Sequence, residues 1–254
     1  MTSYFDVSGR LALVTGSSAG IGLALARGLA RAGARVVLNG RDVDRLKQAA
    51  DGLAAEGLQV HSLAFDVTDP AAVAEAVDRI ERDIGPLDIL INNAGIQRRM
   101  PLDEFPEATW RELMATNLDS VFFVAKAVAK AMIPRKSGAI VNICSVQSEL
   151  GRPAIAPYAA SKGAVKMLTK GMAIDWGKHG IRVNGLGPGY FKTELNKALV
   201  ENEAFSAWLT ARTPLGRWGD VDELVGACLF LVSPAASFVT GHVLYVDGGV
   251  TAQL

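Results

Sequence analysis

Cysteine is almost missing from this chain of 254 residues. Cys144 and Cys228 are too few for a disulfide framework, and a reducing, cytoplasmic setting is the expectation. Histidine is nearly as scarce. His61, His179 and His242 are scattered and adjoin no nucleophile motif, which leaves a serine hydrolase without a base. Zinc has no ligand cluster. An excess of one charge is also lacking: 26 basic residues balance 26 acidic ones, with no basic block, so nucleic acid is not an expected partner. No apolar run approaches the ~18 residues of a membrane span. The opening MTSYFDVSGR lacks the basic-then-apolar pattern of a signal peptide, and no membrane association is expected. Repeats, low-complexity tracts and linkers are absent as well, so residues 1–254 read as one domain.

What the chain does have is apolar residues, 50% of the total, against 20% charged, which suits a large core. Short aliphatic runs recur at 11–15, 35–39, 60–65, 89–92, 139–144, 182–187 and 243–246. Several show no alternation, as in strands covered on both faces. Helical patterns lie between them at 21–32, 42–56, 70–84, 108–134, 158–178 and 221–231. Asp42 and Asp69 stand where N-caps belong, and Gly33, Gly57 and Gly85 follow helix ends. Strand and helix in alternation predict an α/β fold, a doubly wound parallel sheet of Rossmann type with helices on both faces. In that architecture the site lies beyond the carboxyl ends of the strands.

Those strand ends carry the chemistry. After the first comes TGSSAGIG (15–22), then a helix. Its glycines do not follow G-x-G-x-x-G spacing, yet glycine allows a tight turn and close approach of a pyrophosphate to a helix N-terminus. Gly16, Ser18, Gly20, Ile21 and Gly22 are therefore cofactor candidates. The second strand ends in Asn39, Gly40 and Arg41, with no carboxylate at the tip to take a ribose 2′-hydroxyl. Arg41 can clamp a 2′-phosphate, so NADP is expected over NAD, with NAD use possible. The fourth strand ends in NNAG (92–95) and the fifth in ICSVQSE (143–149), which puts Ser145 at the edge. In PYAASKGAVK (157–166), Tyr158 and Lys162 stand one helical turn apart. A nearby ammonium would lower the tyrosine pKa and make Tyr158 a proton donor or acceptor. Ser145 and Tyr158 could then converge on one substrate oxygen during hydride transfer.

TGSSAGIG, NNAG, Asn117 within ATNLDSVF, Ser145 and Tyr158-x-x-x-Lys162 together resemble the short-chain dehydrogenase/reductases. The resemblance spans essentially the whole chain, including PGYFKTE (188–194) and GHVLYVDGG (241–249). It implies Tyr158 as general acid or base, Lys162 lowering its pKa and binding the nicotinamide ribose, and Ser145 orienting the substrate. It implies that Asn117 supports a proton relay through water to Lys162. Asp66 and Val67 would meet the adenine; Asn93, Ala94 and Gly95 would line the cofactor. Pro188, Gly189 and Thr193 would contact the nicotinamide end and open a substrate lid over about 190–213. A homotetramer built on the helices around 110–132 and 159–176 is also implied.

The loops bear on the substrate. IQRRMPLDEF brings Arg98 and Arg99, and the stretch after Ser145 brings Gln147, Ser148, Glu149 and Arg152. This lining suits many hydroxyls and one carboxylate better than a long acyl chain. Arg98 and Gln147 are the expected substrate contacts, beside Ser145 and Tyr158. The loops resemble those of family members that act on sugar acids, which implies interconversion of D-gluconate and 5-dehydro-D-gluconate. Another polyol, sugar acid or 3-oxoacyl thioester is the alternative. A non-catalytic nucleotide-binding scaffold is the distant one, and it would be expected to lose Tyr158, Lys162 or Ser145.

Overall fold

The first strand, β1 (Leu11–Val14), sends Leu11 and Leu13 into one apolar layer and Ala12 and Val14 into another. All four are fully buried, as alternation on a sheet covered on both faces requires. The remaining strands are β2 (Arg35–Gly40), β3 (Val60–Ala64), β4 (Leu87–Asn92), β5 (Gly138–Ile143), β6 (Ile181–Pro188) and β7 (Val243–Val246). They form one parallel sheet in the order β3-β2-β1-β4-β5-β6-β7. The computed structural model describes residues 4–253, so residues 1–3 and 254 of the expected single domain lie outside the described residues.

The helices are α1 (Gly20–Arg31), α2 (Val43–Ala55), α3 (Pro70–Asp83), α4 (Glu107–Met114), α5 (Ser120–Arg135), α6 (Ala156–Gly177), α7 (Lys197–Val200), α8 (Glu203–Arg212) and α9 (Val225–Val232). Val73, Val77 and Ile80 of α3, Val121, Val124 and Val128 of α5, and Val165 and Met172 of α6 pack with Leu11, Leu13 and Leu90. Leu25 and Leu29 of α1, Leu46 and Leu53 of α2, and Leu231 of α9 pack with Ala12, Val14 and Ile91 on the other face. Each such leucine contributes about 1.5–3 kcal/mol by leaving water. The doubly wound Rossmann-type sheet expected from the strand–helix alternation is the one observed.

Strand order reverses direction between β1 and β4, which opens a crevice at their carboxyl ends. Two elements differ from expectation. The single helix expected over 108–134 is interrupted by a π-helical turn, Ala115–Asp119, between α4 and α5. The expected lid, about 190–213, contains two helices, α7 and α8. Among the described residues, no helix is long and apolar enough to cross a membrane.

Candidate active site

The glycine turn closes one end of the crevice. Gly16 and Gly20 have φ of 60° and 57°, a left-handed conformation that favours glycine. A Cβ on Gly16 would lie 2.8 Å from Ala94 Cα, and one on Gly22 would lie 2.4 Å from both Gly16 O and Asn93 Nδ2. The turn is thus packed directly on the NNAG segment. Asn93 Nδ2 donates to the carbonyls of Thr15 (3.0 Å) and Gly16 (2.9 Å), while Thr15 Oγ1 accepts from the N–H groups of Asn93 (2.9 Å) and Ala94 (3.1 Å). Buried Asn39 accepts from Gly16 N at 3.3 Å and donates to Phe65 O at 3.1 Å, tying the turn to the end of β3.

Helix caps show what this end is for. Asp42 Oδ1 accepts from Arg45 N at 3.0 Å, and Asp69 Oδ1 accepts from Ala71 N and Ala72 N, so α2 and α3 are capped as expected. Helix α1 has Ala19 at its N-cap and no side chain to satisfy its first N–H groups. Ala19, Gly20, Ile21 and Gly22 all line the crevice, so this uncapped terminus is open to an anion. At the tip of β2, exposed Arg41 lies 3.7 Å from Asp66 Oδ2. Burial acts to raise the Asp66 carboxyl, but its Thr68 hydrogen bonds and Arg41 bring it below its usual value.

At the other end, Tyr158 sits in the first turn of α6 and Lys162 one turn on, both facing the same crevice as Ser145. Lys162 is buried; its Nζ donates to Ile143 O at 2.7 Å and stands 5.9 Å from the Tyr158 ring centroid. Burial lowers the ammonium pKa to about 8. Burial also raises the Tyr158 phenol above its ordinary value, against an opposing hydrogen bond from Ser145. The expected lowering of Tyr158 by Lys162 is not what the structure shows: burial outweighs the Ser145 hydrogen bond and the Arg99 charge, and the Lys162 ammonium bonds a carbonyl. Ser145 Oγ accepts from Gln147 N at 3.1 Å, which fixes its hydroxyl at the strand end.

Asn117 lies behind this wall, fully buried in the π-helical turn. Its amide clamps Ile96, accepting from the N–H at 2.8 Å and donating to the carbonyl at 2.9 Å. It also donates to Ser161 Oγ at 3.2 Å, which in turn donates to Tyr158 O at 2.7 Å. The side chain joins the β4 loop to the Tyr158 turn; among the described residues it makes no direct hydrogen bond to Lys162. Cys144 is a core residue, its thiol pushed up to about 11 by burial.

All the expected cofactor residues, from Gly16 to Thr193, line one crevice of about 380 Å³, together with Ser145 and Gln147. Arg98 does not. It points outward and pairs with Glu112 at 3.0 Å, because neighbouring side chains on this irregular segment diverge. Arg99 lines the crevice instead, donating to Gln97 Oε1 (2.9 Å) and Asn196 Oδ1 (3.2 Å). Of the pair, the structure brings Arg99 and not the expected Arg98 to the crevice. Thr15 and Asn39, which hold the glycine turn, and Tyr190 and Asn196, which line the crevice, have no role assigned by the motifs alone, although TGSSAGIG and PGYFKTE contain two of them. Gln147 Nε2 donates to Tyr190 OH at 3.2 Å, while Gln147 Oε1 and Arg152 Nε are buried without partners. Among the described residues no three His, Cys, Asp or Glu side chains converge as a metal site.

Comparison with known proteins agrees with this geometry. The family model described as enoyl-(acyl carrier protein) reductase matches residues 16–251. The chain is 64% identical over 250 residues to gluconate 5-dehydrogenase of Gluconobacter oxydans strain 621H, covering 98% of each. It is 54% identical to 5-keto-D-gluconate 5-reductase of Escherichia coli K12, again covering 98% of each. A crystal structure of a gluconate 5-dehydrogenase from Burkholderia cenocepacia J2315 in complex with NADP and tartrate superposes with a TM-score of 0.97 at 58% identity, covering 99% of this chain and 98% of that one. This chain belongs to the short-chain dehydrogenase/reductase family.

Proposed function

From that membership, we propose that the protein is an NADP-dependent oxidoreductase interconverting D-gluconate and 5-dehydro-D-gluconate, with Tyr158 as general acid and base. The observation that carries the reading is the continuity of the crevice. One cavity runs from the uncapped α1 terminus and Arg41 to Ser145, Tyr158 and Lys162. The similarity to the Gluconobacter and Escherichia enzymes supplies the substrate.

The residues present fit NADP. The α1 N-terminus and the Gly16–Gly22 turn would hold the pyrophosphate, Arg41 the 2′-phosphate, Asp66 and Val67 the adenine end, and Lys162 with Thr193 the nicotinamide end. Arg41 can turn to a phosphate at little cost, because its exposed pairing with Asp66 is worth only about 0–1 kcal/mol. When bound, NADP supplies the hydride donor or acceptor. Ser145 donates to the substrate oxygen and holds it against the phenol. Tyr158, a phenol that burial holds above its ordinary value, gives its proton to that oxygen as negative charge develops there. In the oxidative direction the phenolate takes the alcohol proton. Asn117 keeps Ile96 and the Tyr158 turn in register and stands behind a relay toward Lys162.

Gln147, Glu194 and Asn196 are among the residues lining the crevice and match a polyhydroxy chain. The same reading takes the protein as a cytoplasmic homotetramer. Trp110 on α4, Phe122 on α5, and Met167 and Ile174 on α6 are exposed, and a second subunit would cover them. A stable monomer in gel filtration would contradict the tetramer. The reaction is tested by incubating the enzyme with D-gluconate and NADP and identifying the product. Formation of 5-dehydro-D-gluconate is expected; a 2-dehydro product, or none, would contradict the substrate assignment.

A further inference from the structure

Two polar atoms in the crevice wall are buried without a partner, Arg152 Nε and Gln147 Oε1. Both side chains meet at Tyr190. Gln147 donates to its hydroxyl at 3.2 Å, and the Arg152 guanidinium lies over Phe205, whose ring packs on Tyr190. Arg152 has no ion pair among the described residues, and Arg99, the other guanidinium in this part of the crevice, bonds only side-chain amide oxygens. A buried guanidinium nitrogen without a partner is costly, and the planar fork of a guanidinium matches a carboxylate. The loop carrying it is also under backbone strain: Ala154, two residues on, has φ of 63°, and its carbonyl accepts from Met100 N at 3.1 Å.

We infer that Arg152 is the receptor for the substrate carboxylate, with Gln147 Oε1 accepting from a substrate hydroxyl beside it, and that occupancy of Arg152 fastens the 190–213 lid. This rests on the sugar-acid reading above and deepens it. The cofactor phosphates are a poor competitor for Arg152. Arg41 follows β2 and Arg152 follows β5, and those strands are three sheet spacings apart, about 14 Å. Gln147, by contrast, is bonded to Ser145, so the receptor adjoins the reacting centre. Anchoring one end of a six-carbon acid there determines which carbon reaches Tyr158.

The lid connection is direct. Arg152 Cζ lies 5.4 Å from the ring centroid of Phe205 in α8. Phe205 in turn packs on Tyr190 (5.9 Å), Trp208 (5.3 Å) and Trp218 (6.2 Å). A carboxylate arriving at Arg152 changes the charge facing this aromatic cluster, so the two tryptophans become reporters of its binding.

The test compares two ketones in the NADPH assay: 5-dehydro-D-gluconate and L-sorbose, which has the same chain and carbonyl but a hydroxymethyl group in place of the carboxylate. Wild-type enzyme should prefer the acid. In Arg152→Gln that preference, as a ratio of kcat/KM, should shrink about 10- to 100-fold, the size of a lost charge-assisted hydrogen bond. Arg152→Lys, which keeps the charge and loses the fork, should fall between and guards against misfolding of the first variant. Equal losses on both ketones, or an unchanged ratio, would overturn the receptor. Tryptophan fluorescence, titrated with D-gluconate and with neutral D-sorbitol, gives a readout independent of turnover. Wild type should respond to gluconate alone and Arg152→Gln to neither. A wild type that binds gluconate through Arg152 but reduces neither ketone would overturn the reaction reading and leave the receptor standing. A wild type unresponsive to gluconate would overturn the receptor itself.

Discussion

At the cofactor end of the crevice the walls are backbone; at the substrate end they are side chains. Gly16 and Gly22 shape the first by having no Cβ and Gly20 by its left-handed backbone, and Asn39, Thr15 and Asn93 bond main-chain atoms to hold it. Gln147, Arg99, Arg152 and Tyr190 shape the second, and two of their polar atoms are left without partners. A backbone wall tolerates little change but binds any dinucleotide of the right shape. A side-chain wall stores selectivity in groups that wait for a ligand. Changes at the first end should therefore cost binding and stability together, and changes at the second should cost discrimination.

The largest effect is expected where the two ends meet. Tyr158→Phe removes the proton donor and should lower kcat by about 10²–10⁴-fold. NADPH binding, followed by its fluorescence, should be retained. The next is Gly22→Ala. Alanine normally favours a helix over glycine by roughly 0.5–1 kcal/mol. Here its Cβ would meet Gly16 O and Asn93 Nδ2 at 2.4 Å, so overpacking should win, lowering stability by about 1–3 kcal/mol and weakening NADPH. A higher thermal midpoint for this variant would break the comparison. Arg41→Ala is milder: it should leave the fold intact and reduce the preference for NADPH over NADH by about 10- to 100-fold.

How much of this was legible in the sequence follows the same division. The glycine turn and the Tyr158–Lys162 spacing are local, because a turn and a helix fix them within a few residues. The aliphatic runs gave the strands to within a residue or two for the same reason. The π-helical turn at Ala115–Asp119 was not legible, since ATNLDSVF is compatible with an unbroken helix and only the pull of Asn117 on Ile96 gives the turn its role. Nor could the sequence choose between Arg98 and Arg99. Outside regular structure no periodicity sets side-chain direction, and Glu112 and Asn196 decide it from distant positions, with Gln97 alongside. The sign at Tyr158 was missed because helical spacing reports proximity to Lys162 and not the burial that opposes it.

That burial yields the smallest predicted effects, both read against pH. Lys162 falls from 10.5 to about 8 in the folded chain. Between those values the unfolded chain still holds a proton that the folded chain has shed, so folding is favoured as pH rises through this window. Without cofactor, the thermal midpoint of wild type should therefore gain on that of Lys162→Met from about pH 8 upward; a declining difference would contradict the buried, depressed ammonium. Because burial raises the Tyr158 phenol above its ordinary value, gluconate oxidation should accelerate as pH rises through the alkaline range while ketone reduction slows.

The most direct test of one crevice joining phosphate recognition to Tyr158 chemistry is the loss of reduced-nicotinamide absorbance with 5-dehydro-D-gluconate, run with NADPH and NADH in parallel on wild type and Tyr158→Phe. Rapid loss with NADPH, slower loss with NADH, and almost none in the variant are predicted. Turnover retained by Tyr158→Phe, or equal rates with the two cofactors in wild type, would contradict it.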